Sequence, residues 1–228
     1  MTAAHRSYAA GFAVLLAVLL ATACAKQGPT TPKSPAPDDI LLTIDGIDIR
    51  FGEVQPILEF LASSHPEAGR KTVMQMVLEK QIVPVRLAQR AFGEARRHAL
   101  QEATDLRSIA TNALELDAQN VKAKQRKIYA RSQVPLPAAM FLFDPLQTGG
   151  VSAPLEVPRG YVVTAAHDYV QRPLAGEDLV EATLVGFFTH GDQEWGAWLA
   201  AEQDRIADKI TYVHPLYVEA LPGWCKHP

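Results

Sequence analysis

The chain has 228 residues and a formal net charge of −3, and 48% of its residues are hydrophobic while 21% are charged. This balance is typical of a folded globular protein and argues against general disorder and against a strongly basic nucleic-acid binder. Two cysteines exclude a disulfide-rich scaffold and a four-cysteine zinc site. No unbroken apolar run reaches about 18 residues, which argues against a protein with several membrane spans.

The first predicted element is an export signal. An uncharged run covers residues 9–23, a length that favours the core of a signal peptide over a spanning helix. The run ends in Leu20-Ala21-Thr22-Ala23-Cys24, which resembles a bacterial lipobox. Residues 1–23 are therefore predicted to be removed and Cys24 to be lipidated. The alternative is an ordinary signal peptide that is cleaved just before the cysteine.

Residues 24–38 are predicted to be a lipid-anchored linker. This stretch is rich in proline and has no large apolar side chain, so it has nothing to bury and stays extended. Ala25 after the lipidated cysteine favours the outer membrane, which places the folded part on the periplasmic face. With Cys24 modified, Cys225 has no disulfide partner, and no histidine or asparagine arrangement points to a nucleophilic role for it.

The folded part is predicted to begin with a β-hairpin, because β-rich runs flank Asp45-Gly46 within Ile40–Ile49. Helical periodicity and turn residues predict the elements that follow. They are a short helix over Glu53–Leu61, a long helix over 67–98 interrupted at Pro84, helix in two pieces over 99–130, a segment over 134–158 in which helix is not expected, a strand over 160–166, helices over Glu177–Phe188 and Trp195–Asp208, and a β-prone run over Ile210–Val213.

The β-prone run near the C-terminus is predicted to pair with the hairpin. A two-stranded hairpin is marginally stable in water by itself. A third strand from Ile210–Val213 would pair an open edge of the hairpin and help bury its apolar side chains against the helices.

Three pieces of the chain, in this order, resemble the SurA/PrsA group of parvulin-type periplasmic foldases. The first combines the hairpin residues 43–49 with 51–54 and the helical stretch 77–82. The second is residues 149–161, Gly-Gly-Val-Ser-Ala-Pro-Leu-Glu-Val-Pro-Arg-Gly-Tyr, which is similar to the last loop and strand of a parvulin domain. The third is Trp198-Leu199 with residues 207–210, similar to the closing helix and strand of the family.

The resemblance implies an α+β fold, mainly α. Residues 39–131 are expected to form a helical chaperone-like lobe with a short β-hairpin. Residues 132–172 are expected to be a degenerate parvulin-like remnant, and residues 173–228 to be C-terminal helices and a strand that complete the N-terminal lobe.

The departures from the family pattern concern the catalytic residues. No histidine lies between His98 and His167, and Val162 stands where the family places its second histidine. Prolyl isomerase activity is therefore not expected. Ser152 and Tyr161 are the only weak catalytic candidates near the retained strand.

Other chemistry is weakly represented in the sequence. The histidines show no metal-binding spacing, and no nucleotide-binding glycine pattern exists, so no cofactor and no metal are expected. Apolar side chains at helical spacing are mostly core, with a client-binding surface as the minority interpretation. The candidates for such a surface are Met74, Met76, Phe187, Phe188, Trp195 and Trp198.

The favoured hypothesis is a membrane-anchored periplasmic chaperone or foldase-like lipoprotein that binds unfolded or extended segments of exported proteins. Its partners are unfolded or nascent exported polypeptides and the membrane, and not nucleic acid. One alternative is an active peptidyl-prolyl cis-trans isomerase with a divergent site. A second alternative is a structural lipoprotein subunit of an envelope complex.

Overall fold

A computed structural model describes residues 34–170 and 178–225. The predicted export signal and Cys24 lie outside the described residues. The strands are β1 (Ile40–Ile44), β2 (Ile47–Arg50), β3 (Lys124–Ala130), β4 (Leu155–Val157), β5 (Gly160–Val170), β6 (Leu179–Phe188) and β7 (Ile210–Val213). The helices are α1 (Phe51–Ser64), α2 (Arg70–Val77), α3 (Val83–Ala91), α4 (Gly93–Ile109), α5 (Ala113–Ala118), α6 (Leu136–Leu142) and α7 (Asp192–Ile206). The fold is α+β.

The first sheet has three antiparallel strands in the order β2-β1-β7. Asp45 and Gly46 turn β1 into β2 with positive φ angles of 49° and 76°, as a type I′ turn requires. β7 pairs with the other edge of β1 and places Val213 opposite Leu42. The predicted hairpin and its predicted third strand are both confirmed.

This sheet packs against α1, α2 and α3 to form the first core. The C-terminal segment takes part in it, because Ile210, Tyr217 and Leu221 are buried in the same cluster as Leu42 and Val54.

The long helix predicted over 67–98 is divided. A π-helical turn at Leu78–Ile82 separates α2 from α3, and Phe92 separates α3 from α4. The α-helical hydrogen bonding is thus interrupted just before Pro84, whose ring nitrogen has no proton to donate. Pro84 itself sits in the first turn of α3, where that donor is not needed.

The second sheet has four antiparallel strands in the order β3-β6-β5-β4. One of its faces packs on α6, where Val162 and Ala182 are buried. The opposite face packs on α4 and α5, where Val163 and Val185 are buried. The two central strands therefore lie between two helical layers. The predicted boundaries at residues 131 and 172 fall inside this sheet, since β3 precedes the first and β6 follows the second.

Three predictions for this region are wrong. The helix predicted over Glu177–Phe188 is strand β6, which has buried residues on both faces, and such a mostly apolar run has no clear periodicity that separates strand from helix. The second part of the helix predicted over 99–130 is edge strand β3, since pairing with β6 overrides the helix propensity of its lysines and arginines. Helix α6 forms in the segment where none was expected, because Pro135 and Pro137 occupy its cap and first turn.

The remaining elements match the prediction more closely. The strand predicted over 160–166 is confirmed and continues to Val170, and the helix predicted over Trp195–Asp208 is α7. Among the described helices, none combines the length and the apolar character that crossing a bilayer requires.

Candidate functional site

A cleft of about 720 Å³ lies between the C-terminal end of α1 and the segment that joins β3 to α6. The tight turn between β4 and β5 forms a further wall. The apolar lining of the cleft consists of Phe60, Leu61, Met76, Val134, Pro135, Leu136, Ala139, Val157, Pro158, Phe188 and Trp195. Its polar lining consists of Ser64, His65, Glu67, Lys80, Gln81, Arg131, Ser132, Arg159 and Asp178.

The wall beyond β3 is fixed by local hydrogen bonding and by proline. A 3₁₀ turn at Arg131–Gln133 follows the strand, and the Gln133 side chain accepts a hydrogen bond from the backbone N–H of Ala130 at 3.0 Å. Pro135 then caps α6 in an extended conformation. The chain therefore enters α6 along the cleft.

Arg131 bridges the two walls of the cleft. Its guanidinium donates to the Ser64 hydroxyl at the end of α1 and, at 2.9 Å, to the carboxylate of Asp178. The guanidinium carbon lies 5.5 Å from the ring centre of Phe60 and 5.1 Å from that of Phe143. Its Nε atom is buried and has no hydrogen-bond acceptor among the described residues.

Arg159 lies on the turn between β4 and β5. It donates to the carboxylate of Asp192 and, at 2.9 Å, to the backbone carbonyl of His190. Its guanidinium carbon lies 4.4 Å from the ring centre of Phe188. Burial lowers the pKa of Arg159, and its buried Nε, like that of Arg131, finds no acceptor in the described part of the chain.

An aromatic cluster extends the apolar lining beyond Trp195. The ring centres of Trp195 and Trp198 are 4.9 Å apart, and Phe92 lies 4.6 Å from Trp198 and 4.2 Å from His190. These four side chains are half-buried. Partly exposed aromatic rings at the end of an apolar cleft offer flat contact area with little entropy to lose on binding.

A polar network behind the cleft holds the turn between β4 and β5 in place. Arg96 is 2% exposed and donates to the Glu156 carboxylate at 2.8 Å, and to the carbonyls of Pro158 and Val157 at 2.8 and 3.0 Å. Gln81 donates to the backbone carbonyl of Glu156 at 3.0 Å. The α4 helix and the π-helical turn are thus tied to the wall that carries Arg159.

The predicted client-binding residues are divided by the fold. Met76, Phe188 and Trp195 line the cleft. Met74 is fully buried in the first core, so a ligand cannot reach it. Phe187 packs on the α4 and α5 side of the second sheet, and Trp198 packs against the first core and Trp195.

The cleft arginines were not predicted. Arg131 and Arg159 each stand beside a proline-containing turn, where no periodicity marks a site. The only sequence signal is a bulky cation inside a tight turn, in Pro158-Arg159-Gly160, where small polar residues are more usual.

The two weak catalytic candidates lie outside the lining of the cleft. Ser152 is buried, and its hydroxyl accepts the backbone N–H of Thr164 at 3.0 Å, which fastens the loop to β5. The Tyr161 hydroxyl donates to Glu156 at 3.3 Å, and burial raises the pKa of Tyr161. Both hydroxyls are therefore engaged in structural hydrogen bonds.

One further group of polar side chains lies on the second sheet. His167 Nε2 is 2.9 Å from the hydroxyl of Thr183, which donates to Asp117 at 3.4 Å. Burial lowers the pKa of His167. Thr183 is fully buried between the helices and the sheet, so its hydroxyl is closed to a substrate.

Among the described residues there is neither a metal-binding cluster nor an ionised thiol. The described residues include no group of three or more histidine, cysteine, aspartate or glutamate side chains that could hold a metal ion. Burial raises the pKa of Cys225 to about 12, so the thiol stays protonated at neutral pH. The predicted lipidation site, Cys24, lies outside the described residues.

Comparison with known proteins gives no relative: no family model matches the chain, and no curated protein or solved structure shows significant similarity to it.

Proposed function

We propose that this protein is a lipid-anchored chaperone of the bacterial cell envelope that binds extended apolar segments of exported proteins. The cleft between α1 and α6 is the observation that carries the proposal. The chaperone-like stretch 39–131 would supply the α1 side of the cleft and the parvulin-like stretch 132–172 the α6 side, with β3 and β5 of the two stretches in one sheet. The predicted signal peptide and lipidated Cys24 support the location, and the resemblance to the SurA/PrsA group supports the activity.

The lining of the cleft suits an apolar peptide segment better than a polar metabolite. A volume of about 720 Å³ is within the usual range for ligand sites. Its lining is apolar around Leu61, Val134 and Leu136, with Met76 as an adaptable contact. A flexible thioether beside rigid rings accommodates side chains of different shape, as a chaperone with many clients requires.

Groove binding is favoured over strand addition. Of the two edges of the second sheet, β4 is three residues long, and β3 carries Lys124, Arg126 and Lys127. Short strands and charged edges discourage pairing with another chain. Strand addition is therefore the secondary mode, and side-chain burial in the cleft supplies most of the affinity.

The test is suppression of client aggregation by the chain from residue 25 onward, which keeps every described residue. Phe188→Ser is the informative variant, because Phe188 lines the cleft and is 41% exposed, so that its loss costs little folding stability. Leu146→Ser is the matched control, since Leu146 is 89% exposed and lies outside the cleft. We expect Phe188→Ser to weaken suppression and Leu146→Ser to leave it unchanged. Equal effects of both variants would contradict the cleft as the binding site.

A proline-limited refolding assay beside the aggregation assay separates the alternatives. Prolyl isomerisation requires polar groups that bind the twisted amide better than the planar one. The hydroxyls of Ser152 and Tyr161 are instead hydrogen-bonded to Thr164 and Glu156. We expect the refolding rate to stay at its uncatalysed value. Acceleration that is lost in Ser152→Ala or Tyr161→Phe would establish the isomerase, and failure in both assays would favour a structural subunit of an envelope complex.

A further inference from the structure

We propose that the cleft selects apolar peptides that carry a carboxylate, which Arg131 and Arg159 bind. The proposal rests on the proposed function, because it specifies the ligand of the same cleft. It departs from purely apolar recognition, in which the charge of the client would have no effect.

Both arginines are positioned as anion receptors by the aromatic side chains beside them. Arg131 lies over Phe60 and Phe143, and Arg159 lies over Phe188. Contact with the ring faces orients each guanidinium and removes water from it. A planar guanidinium held in this way can donate two parallel hydrogen bonds to a carboxylate.

The present counterions of these arginines are exchangeable. Arg131 pairs with Asp178, whose side chain is 73% exposed, and Arg159 pairs with Asp192, whose side chain is 86% exposed. Ion pairs with exposed carboxylates contribute little, because water and salt compete with them. A peptide carboxylate brought into the cleft by its apolar neighbours can therefore take their place.

The cleft has no excess of negative charge that would repel an anion. Lys80, Arg131 and Arg159 line it against Glu67 and Asp178, and Asp192 beside Arg159 balances the third positive charge. Each arginine also keeps a buried Nε without an acceptor among the described residues. A ligand that supplies acceptor oxygens, after a small rotation of the side chain, would satisfy a donor that the described residues leave unpaired.

The carboxylate can come from two sources: the C-terminus of the client or an aspartate or glutamate side chain within it. The experiment measures binding of three fluorescent short apolar peptides to the chain from residue 25 onward. They are a free acid, the same sequence amidated at its C-terminus, and the amidated sequence with one internal glutamate. We expect the free acid to bind about tenfold more tightly than the amide, a difference that decreases with added salt. Binding of the internal-glutamate peptide like the free acid indicates a side-chain source, and binding like the amide indicates the terminus.

The variants assign the preference to the arginines. Arg131→Gln and Arg159→Gln should each reduce the preference for the acid, measured in each variant as the ratio of its affinities for the acid and for the amide. Arg97→Gln is the matched control, because Arg97 is exposed on α4 and lies outside the cleft. Circular dichroism verifies that each variant is folded, and Arg131→Lys provides a second test should Arg131→Gln unfold.

The outcomes separate the two proposals. Equal binding of acid and amide by the wild-type chain, or an unchanged preference in both glutamine variants, overturns the carboxylate proposal and leaves the apolar cleft intact. Binding of neither peptide overturns the peptide-binding cleft itself.

Discussion

Replacing Arg96 by alanine tests how the wall of the cleft is held in place. The buried guanidinium donates hydrogen bonds to the Glu156 carboxylate and to two backbone carbonyls of the β4–β5 turn. Removing one partner of a buried ion pair typically costs about 3–5 kcal/mol. The Glu156 side chain is partly open to water and keeps a hydrogen bond from Gln89 at 2.9 Å, so we expect the lower end, about 3 kcal/mol.

Urea unfolding, monitored by tryptophan fluorescence, measures this loss of unfolding free energy. With a slope of roughly 2 kcal/mol per molar urea, the midpoint should fall by about 1.5 M. Arg97→Ala is the control, because the neighbouring side chain is exposed on the same helix, and it should change the stability by less than about 0.5 kcal/mol. An Arg96→Ala variant within about 1 kcal/mol of this control would refute the role of the network in holding the turn.

Four further predictions follow from other parts of the chain. Gly160→Ala should destabilise the protein by more than about 2 kcal/mol in the same unfolding assay, because φ is +154° and a Cβ would lie 2.1 Å from a backbone carbonyl oxygen of β6. Gly149→Ala is the control and should cost less, because φ is +79° but the space around a Cβ is open. Hydrogen bonding to Arg205 of α7 lowers the pKa of Asp45. The contribution of this carboxylate to stability is therefore present at neutral pH and is lost as the pH falls through the lowered pKa. Asp45→Asn should flatten this acid dependence when unfolding is measured from pH 6 to pH 3. Truncation after Asp208 removes β7 and its buried neighbours, and should destabilise the first core, as hydrogen exchange of β1 would show. Cys24→Ser should release the protein from the membrane fraction or leave it unprocessed, and a normally processed, membrane-bound variant would place the anchor elsewhere.

The sequence was sufficient where local chemistry and burial agree. Asp45-Gly46 between two β-rich runs predicted the hairpin, and the need of a short hairpin for another strand predicted its pairing with Ile210–Val213. Both hold in the structure, because turn chemistry and edge pairing are local requirements that few alternative arrangements satisfy.

The sequence was insufficient where tertiary contacts decide. β6 is mostly apolar on both faces because helices cover both, and the periodicity of the sequence does not show this cover. β3 carries residues with high helix propensity and becomes a strand only because β6 is beside it. The cleft was missed for the same reason: Phe60, Arg131 and Phe188 lie far apart in sequence and come together only in the folded chain.

The pairing of β1 with β7 has a consequence for the order of events during synthesis. An arginine of α7 hydrogen-bonds to Asp45 across 160 residues of chain, and β7 emerges later still. A polypeptide leaves the ribosome N-terminus first, so the hairpin keeps one edge open until residues 210–213 have emerged. Contacts this distant in sequence also slow folding. The first core therefore closes only after β7 has emerged, and a chain stalled before that point should be exposed to proteolysis.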